Sequence, residues 1–141
     1  CARVSTFLFI SRSHSSCMKR NLDLVRSILL KIENQDSTLP NQDFRVEGYS
    51  PEEVTYNALL LQEAGYIKGI ISKSQAGNSI YPSQLTWEGH EFLDEARDKT
   101  VWKKAKEVAN KSGSTSLAIF KTILTRVAAS QVDQALNALI G

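Results

Sequence analysis

The chain has 141 residues, with 17 Lys and Arg against 15 Asp and Glu, and 42% of its residues are hydrophobic. That length supports one domain with a real core and is short for two independent ones. No apolar run approaches the roughly 20 residues needed to cross a bilayer, so the sequence predicts no membrane-spanning helix and no membrane partner.

Arg3 and Arg12, both before Met18, hold the whole charge excess. The remainder is formally neutral and has no global attraction for nucleic acid. Cys1 and Cys17 also precede Met18. A body without cysteine has no disulfide framework and no thiolate metal site, which suits a cytoplasmic location. Residues 1–17 are Ser-rich with a brief apolar run from Val4 to Ile10, and read as a non-native or disordered leader, with Met18 as the natural start.

From Asn21 to Glu33, apolar residues at 22, 25, 28, 29 and 32 predict an amphipathic helix that Asn21 caps. Asn34 to Asp43 is polar, contains Pro40 and reads as a loop. Phe44 to Glu47 alternates apolar and polar, which predicts a short strand ended by Gly48. Ser50-Pro51-Glu52-Glu53 is the signature of a capping box with proline at the first helical position. The helix it opens continues to Ala64, and Gly65 supplies a left-handed stop.

Residues 66–71 and 80–85 predict two strands joined by a hairpin tip within 74–79, and Pro82 implies an edge position or a bulge. Thr86 caps the next helix, which buries Trp87 or Phe92 together with Leu93 and Ala96. Three helices are predicted after it, at 100–111, 115–128 and 131–140, the last opened by a second capping-box pattern at Ser130 to Asp133. Ala64-Gly65-Tyr66-Ile67, then a hairpin, then Leu85-Thr86-Trp87-Glu88-Gly89 is the outline of a winged helix. The expected fold is therefore α+β, mainly α: a winged helix over 18–97 with a C-terminal helical extension over 98–141.

Four blocks in order resemble one family: Met18 to Arg26, Glu47 to Tyr56, Leu85 to Leu93, and Arg97 to Trp102. They are similar to the bacterial and phage family of unknown function numbered 2513, over roughly residues 18 to 125. That resemblance implies a winged-helix protein of bacteria, phages or mobile elements, and no established activity. Leu61-Gln62-Glu63-Ala64-Gly65-Tyr66 also resembles the end of the reading helix of small winged-helix repressors. By that likeness Thr55, Tyr56, Asn57 and Leu59 fall on the outward face.

A winged helix binds DNA by laying one helix in the major groove, while Lys and Arg neutralise phosphates for most of the affinity. Val46 to Ile67 holds four carboxylates and no basic residue, which opposes DNA on the expected surface. Lys68 and Lys73 flank that segment, and residues 97–111 carry a net charge of +4. Lys99, Lys103 and Lys106 share a helix face, either as a phosphate-contacting stripe or as a solvated face with ion pairs such as Lys103–Glu107.

No glycine-rich phosphate loop, Gly-x-Ser-x-Gly, Cys-x-x-Cys or His-Glu-x-x-His motif occurs. His90 is the one histidine after residue 17, and with Glu88, Glu91 and Asp94 it makes only half of a metal or acid–base site. The chain is accordingly expected not to be an enzyme and to need no cofactor or metal. The fold's base rate puts double-stranded DNA first as the partner. The nucleic-acid-binding set is then Thr55, Tyr56, Asn57, Lys68, Lys73, Lys99, Lys103 and Lys106. The alternative is a protein-interaction module that engages a partner through the 51–64 helix. A homodimer through the apolar C-terminal helices is also expected.

Overall fold

A computed structural model describes residues 19–41, 43–113 and 116–140. The expectations for residues 1–17 and the start at Met18 lie outside these residues. The described chain is α+β and mainly helical, in the order α1 (Leu22–Glu33), α2 (Pro51–Glu63), β1 (Ile67–Ser74), β2 (Gly77–Leu85), α3 (Trp87–Ala96), α4 (Lys99–Ser112) and α5 (Leu117–Ile140). It divides into two compact units, and the division falls inside α3, between Gly89 and His90.

In the first unit, α1 starts where the Asn21 side chain accepts from the Leu24 N–H at 3.1 Å. Its buried stripe is Leu24, Val25, Ile28, Leu29 and Ile32, wider than a strict one-in-four pattern because α1 packs against both α2 and β2. The capping box of α2 is complete. Ser50 Oγ accepts from the Glu53 N–H at 3.2 Å, and Glu53 Oε1 accepts from the Ser50 N–H at 3.1 Å. This satisfies two backbone donors that the first turn of a helix otherwise leaves open.

Residues 43–50 contain no strand, contrary to the alternation at Phe44 to Glu47. The sheet among the described residues has only two strands, and that segment pairs with neither. The polar loop before it is fixed by β2 instead. The Asn41 N–H donates to the Pro82 carbonyl at 2.9 Å, and Gln35 Nε2 donates to the Ser83 carbonyl at 3.3 Å. Pro82 lies opposite Gly69 at the register shift that follows Lys68, the bulge its missing N–H calls for. The hairpin turn itself is Gln75–Ala76, with Ser74 Oγ donating to the Gly77 carbonyl at 2.9 Å.

The close of α2 and the opening of α3 form one joint. Gly65 has φ of 87°, and the Tyr66 N–H reaches back to the Leu61 carbonyl at 2.9 Å, a left-handed helix stop. Thr86 then binds this stop from above: its N–H donates to the Tyr66 carbonyl at 3.0 Å and its hydroxyl donates to the Gly65 carbonyl at 2.5 Å. The same hydroxyl accepts from the Gly89 N–H at 3.1 Å, which caps α3. Gly89 rests on the Tyr66 carbonyl so closely that a Cβ there would overlap the oxygen.

In the second unit Phe92, Leu93 and Ala96 are fully buried, whereas Trp87, in the first unit on the first turn of α3, is 77% exposed. Of the two aromatic residues predicted for the core, Phe92 is the one inside. Asp98 starts α4 by accepting from the Thr100 and Val101 N–H groups at 2.7 and 3.2 Å. Trp102 packs edge-on to Phe92, with centroids 6.4 Å apart, and to Phe120 at 5.0 Å. The two helices predicted at 115–128 and 131–140 are one continuous helix, α5. No glycine or proline interrupts Leu117 to Ile140, so the capping residues at 130–133 are carried inside it as ordinary helix positions.

Candidate functional site

The predicted residues lie on three elements: Thr55, Tyr56 and Asn57 on α2, Lys68 and Lys73 on the hairpin, and Lys99, Lys103 and Lys106 on α4. Asn57 does not face outward. It is 1% exposed and sits on the same stripe as Val54, Ala58 and Leu61. Its Oδ1 accepts from the Asn21 N–H at 2.9 Å, and its Nδ2 donates to the Glu53 carbonyl at 2.9 Å and the Lys19 carbonyl at 3.4 Å. Asn57 thus ties the start of α1 to α2. Leaving a buried amide unpaired costs about 1–3 kcal/mol, so this network stabilises the packing rather than offering a contact to a ligand. The spacing at 54, 57, 58 and 61 carried the signal, since it places Asn57 inside the apolar stripe.

Thr55 and Tyr56 are half-buried, on the part of α2 away from that stripe. With 3.6 residues per turn, Glu52, Tyr56, Leu59 and Glu63 make one outward row. Glu52 and Glu63 are exposed, Tyr56 and Leu59 half-buried. The row is acidic at both ends and apolar in its middle. Lys68 and Lys73 are exposed on β1. Ile70 and Ile71, between them, are 57% and 40% exposed, which sequence reasoning did not single out. Consecutive strand residues point to opposite faces, so both faces of β1 are open to solvent here.

On α4, Lys99 and Lys103 are exposed and Lys106 is half-buried, on one face. Lys103 and Glu107 make no ion pair. Nor do Lys99, Lys104 or Lys111 find a carboxylate among the described residues. The acids beside this run are used locally: Asp98 caps α4, and Asp94 pairs with Arg97 at 3.2 Å. Lysines without partners leave their full charge to solvent or to a ligand.

His90 is exposed, and among the described residues no group of three or more His, Cys, Asp or Glu side chains is placed to hold a metal ion. Among the same residues no helix is long and apolar enough to cross a membrane.

A family model described as "Hypothetical protein (DUF2513)" matches residues 19–115. An uncharacterized protein of Haemophilus influenzae is 43% identical over 111 residues, an alignment covering 75% of this chain and 92% of the relative. No solved structure matches the chain. The helical joint at 65–89, both N-caps at Asn21 and Ser50, and all of α4 fall inside the matched span, and the chain belongs to the DUF2513 family.

Proposed function

We propose that this chain is a winged-helix protein that binds double-stranded DNA, of transcriptional-regulator type, encoded by a bacterial or phage genome. It acts by binding and not by catalysis, in the cytoplasm. The reading rests on the order helix, helix, two-stranded hairpin, helix, with the joint at Gly65, Thr86 and Gly89 holding the hairpin between two helices. The observation that carries it is the lysine face of α4, where Lys99 and Lys103 are exposed and make no ion pair among the described residues, with Lys68 and Lys73 exposed on the hairpin. In this reading α2 does not read bases, because its outward row is acidic and Asn57 is committed to packing.

Each phosphate neutralised contributes about 0.9 to the slope of log affinity against log salt. Five lysine contacts imply a slope of about −4 to −5, a loss of roughly 10²–10³ in affinity between 50 and 200 mM salt. Replacing Lys99, Lys103 and Lys106 by Gln together is expected to flatten the slope by about 3. Titration of a random duplex by fluorescence anisotropy checks this, and an unchanged slope in the triple variant removes α4 from the interface.

A second reading has its own support. The row Glu52, Tyr56, Leu59 and Glu63 has the composition of a protein-binding helix face, apolar at its centre and charged at its ends. If the chain is a protein-interaction module on the same scaffold, it binds through this row and shows no affinity for duplex DNA.

A homodimer also fits the structure. Val132, Leu136 and Leu139 are 57%, 48% and 85% exposed at a four–three spacing on α5, the seam of a helix pair. Sedimentation equilibrium should show self-association that Leu136→Glu abolishes; a monomer at all concentrations would end that expectation.

A further inference from the structure

Within the second unit, a groove of about 510 Å³ lies between α4 and α5. Its apolar lining is Val108, Ile123 and Val127, and its basic lining is Lys104, Lys111 and Arg126. Glu107 is the one acid among the lining residues. Val108 is 46% exposed in the middle of α4, although Ala105 and Ala109 beside it are buried. Lys104, Lys111 and Arg126 are exposed and make no ion pair among the described residues.

Lys104, Val108 and Lys111 repeat at four and three residues, so they form one row of the helix. At 3.6 residues per turn that row stands roughly 140° around α4 from the face of Lys99, Lys103 and Lys106. The two basic faces of α4 are therefore different surfaces. The first has no apolar member, as phosphate contacts require none. The second places a valine between its two lysines and adds Ile123 and Val127 from α5.

We propose that the α4–α5 groove docks an acidic amphipathic helix of a protein partner. A helix laid in a groove presents apolar anchors at every third or fourth residue and leaves its flanks to the rims. The groove offers an apolar strip to the anchors and three cations against one carboxylate to the flanks, which selects Asp and Glu there. Its volume is within the roughly 300–1,000 Å³ that accommodates a few buried side chains. Rim charges of this kind set partner choice and association rate, while the apolar strip supplies the affinity. A nucleic acid would leave the strip of Val108, Ile123 and Val127 unmatched.

The test uses the full chain and a fluorescein-labelled 18-residue helical peptide with Leu on one stripe and Glu on both flanks. A second peptide carries Lys in place of every Glu. The Glu peptide is expected to bind saturably by anisotropy, and the Lys peptide is not. Val108→Asp and the double variant Lys104→Glu with Lys111→Glu should each weaken binding at least tenfold. Both change exposed side chains, and circular dichroism checks that the helices persist.

Three results would overturn the proposal: no saturable binding of the Glu peptide, equal binding by Val108→Asp, or displacement by dodecanoate at concentrations below the peptide's own, which would assign the groove to a small anionic amphiphile. Self-association of the chain that Val108→Asp abolishes, with no peptide binding, would assign the groove to a second copy and overturn it too. Duplex binding measured in the Lys104→Glu, Lys111→Glu variant separates this outcome from the DNA reading, which rests on the other face of α4.

Discussion

Replacing Gly89 by alanine is expected to lower stability by about 3 kcal/mol, at or beyond the upper end of the usual overpacking range. The reason lies in backbone geometry. An added methyl would overlap the Tyr66 carbonyl oxygen, and that oxygen is fixed because it also accepts from the Thr86 N–H at 3.0 Å. Tyr66 in turn follows the left-handed Gly65 that ends α2. Neither partner can move aside as a flexible side chain could, so relief requires α3 to lift from the end of α2. Lifting it breaks the hydrogen bonds from Thr86 to Gly65 and from Gly89 to Thr86. Urea denaturation followed by circular dichroism measures the loss. His90→Ala, at the exposed neighbouring position, should stay within about 0.5 kcal/mol of the parent chain. Equal stability of Gly89→Ala and the parent would mean the joint is not packed as described.

The second large effect is expected at Trp102, where truncation to alanine should cost about 3–5 kcal/mol. Trp102 is 5% exposed and meets Phe92 and Phe120 edge-on, at interplanar angles of 87° and 76°. Edge-to-face pairs of this kind add about 0.5–1.5 kcal/mol beyond the area they bury. Removing the indole would leave a cavity between α3, α4 and α5 that Leu124 and Ala105, both fully buried, cannot fill. The chain has two tryptophans, which gives a built-in control. Trp87→Ala removes a side chain that is 77% exposed and should change stability by no more than about 0.5 kcal/mol. In a Trp87→Phe background the remaining emission should be blue-shifted in the folded chain and move red on unfolding. Emission already red in the folded state would contradict the burial of Trp102.

Local chemistry made much of the fold legible. Ser50, Pro51 and Glu53 specify a helix start through groups that lie within four residues of one another, and Gly65 specifies its end by the left-handed conformation it tolerates. Thr86 and Gly89 were legible as a helix opening. Their contact with Gly65 and Tyr66 was not, because it joins residues some twenty apart through space. The strand expected at Phe44 to Glu47 failed for a related reason. Alternation describes a half-buried extended segment, but a strand also needs a partner strand to bond to, and residues 44–47 pair with neither β1 nor β2. The break predicted in α5 came from reading Ser130 to Asp133 as a cap. An N-capping sequence opens a new helix only where the preceding residues stop being helical, and Ala128 and Ala129 favour continuation.

The site was legible in its charges and less so in its orientation. The acidic stretch from Val46 to Ile67 and the basic stretch from Arg97 to Lys111 are plain in the sequence. The likeness to repressor helices turned Asn57 outward, while its own spacing with Val54, Ala58 and Leu61 turns it inward. The separation of α4 into two basic faces follows from the burial of Val101, Trp102, Ala105 and Ala109, which sets the rotation of the helix. The exposure of Val108 then distinguishes one face from the other, and composition alone contains no sign of it.

The reading as a DNA-binding protein is tested most directly by titrating the chain from Met18 with a random duplex at 50 and 200 mM salt. Starting at Met18 removes Arg3 and Arg12, so any affinity belongs to the formally neutral remainder of the chain. The expected result is binding at the lower salt that weakens by roughly 10²–10³ at the higher. No binding at 50 mM, or binding that salt leaves unchanged, would contradict it and leave the α2 row as the surface to pursue.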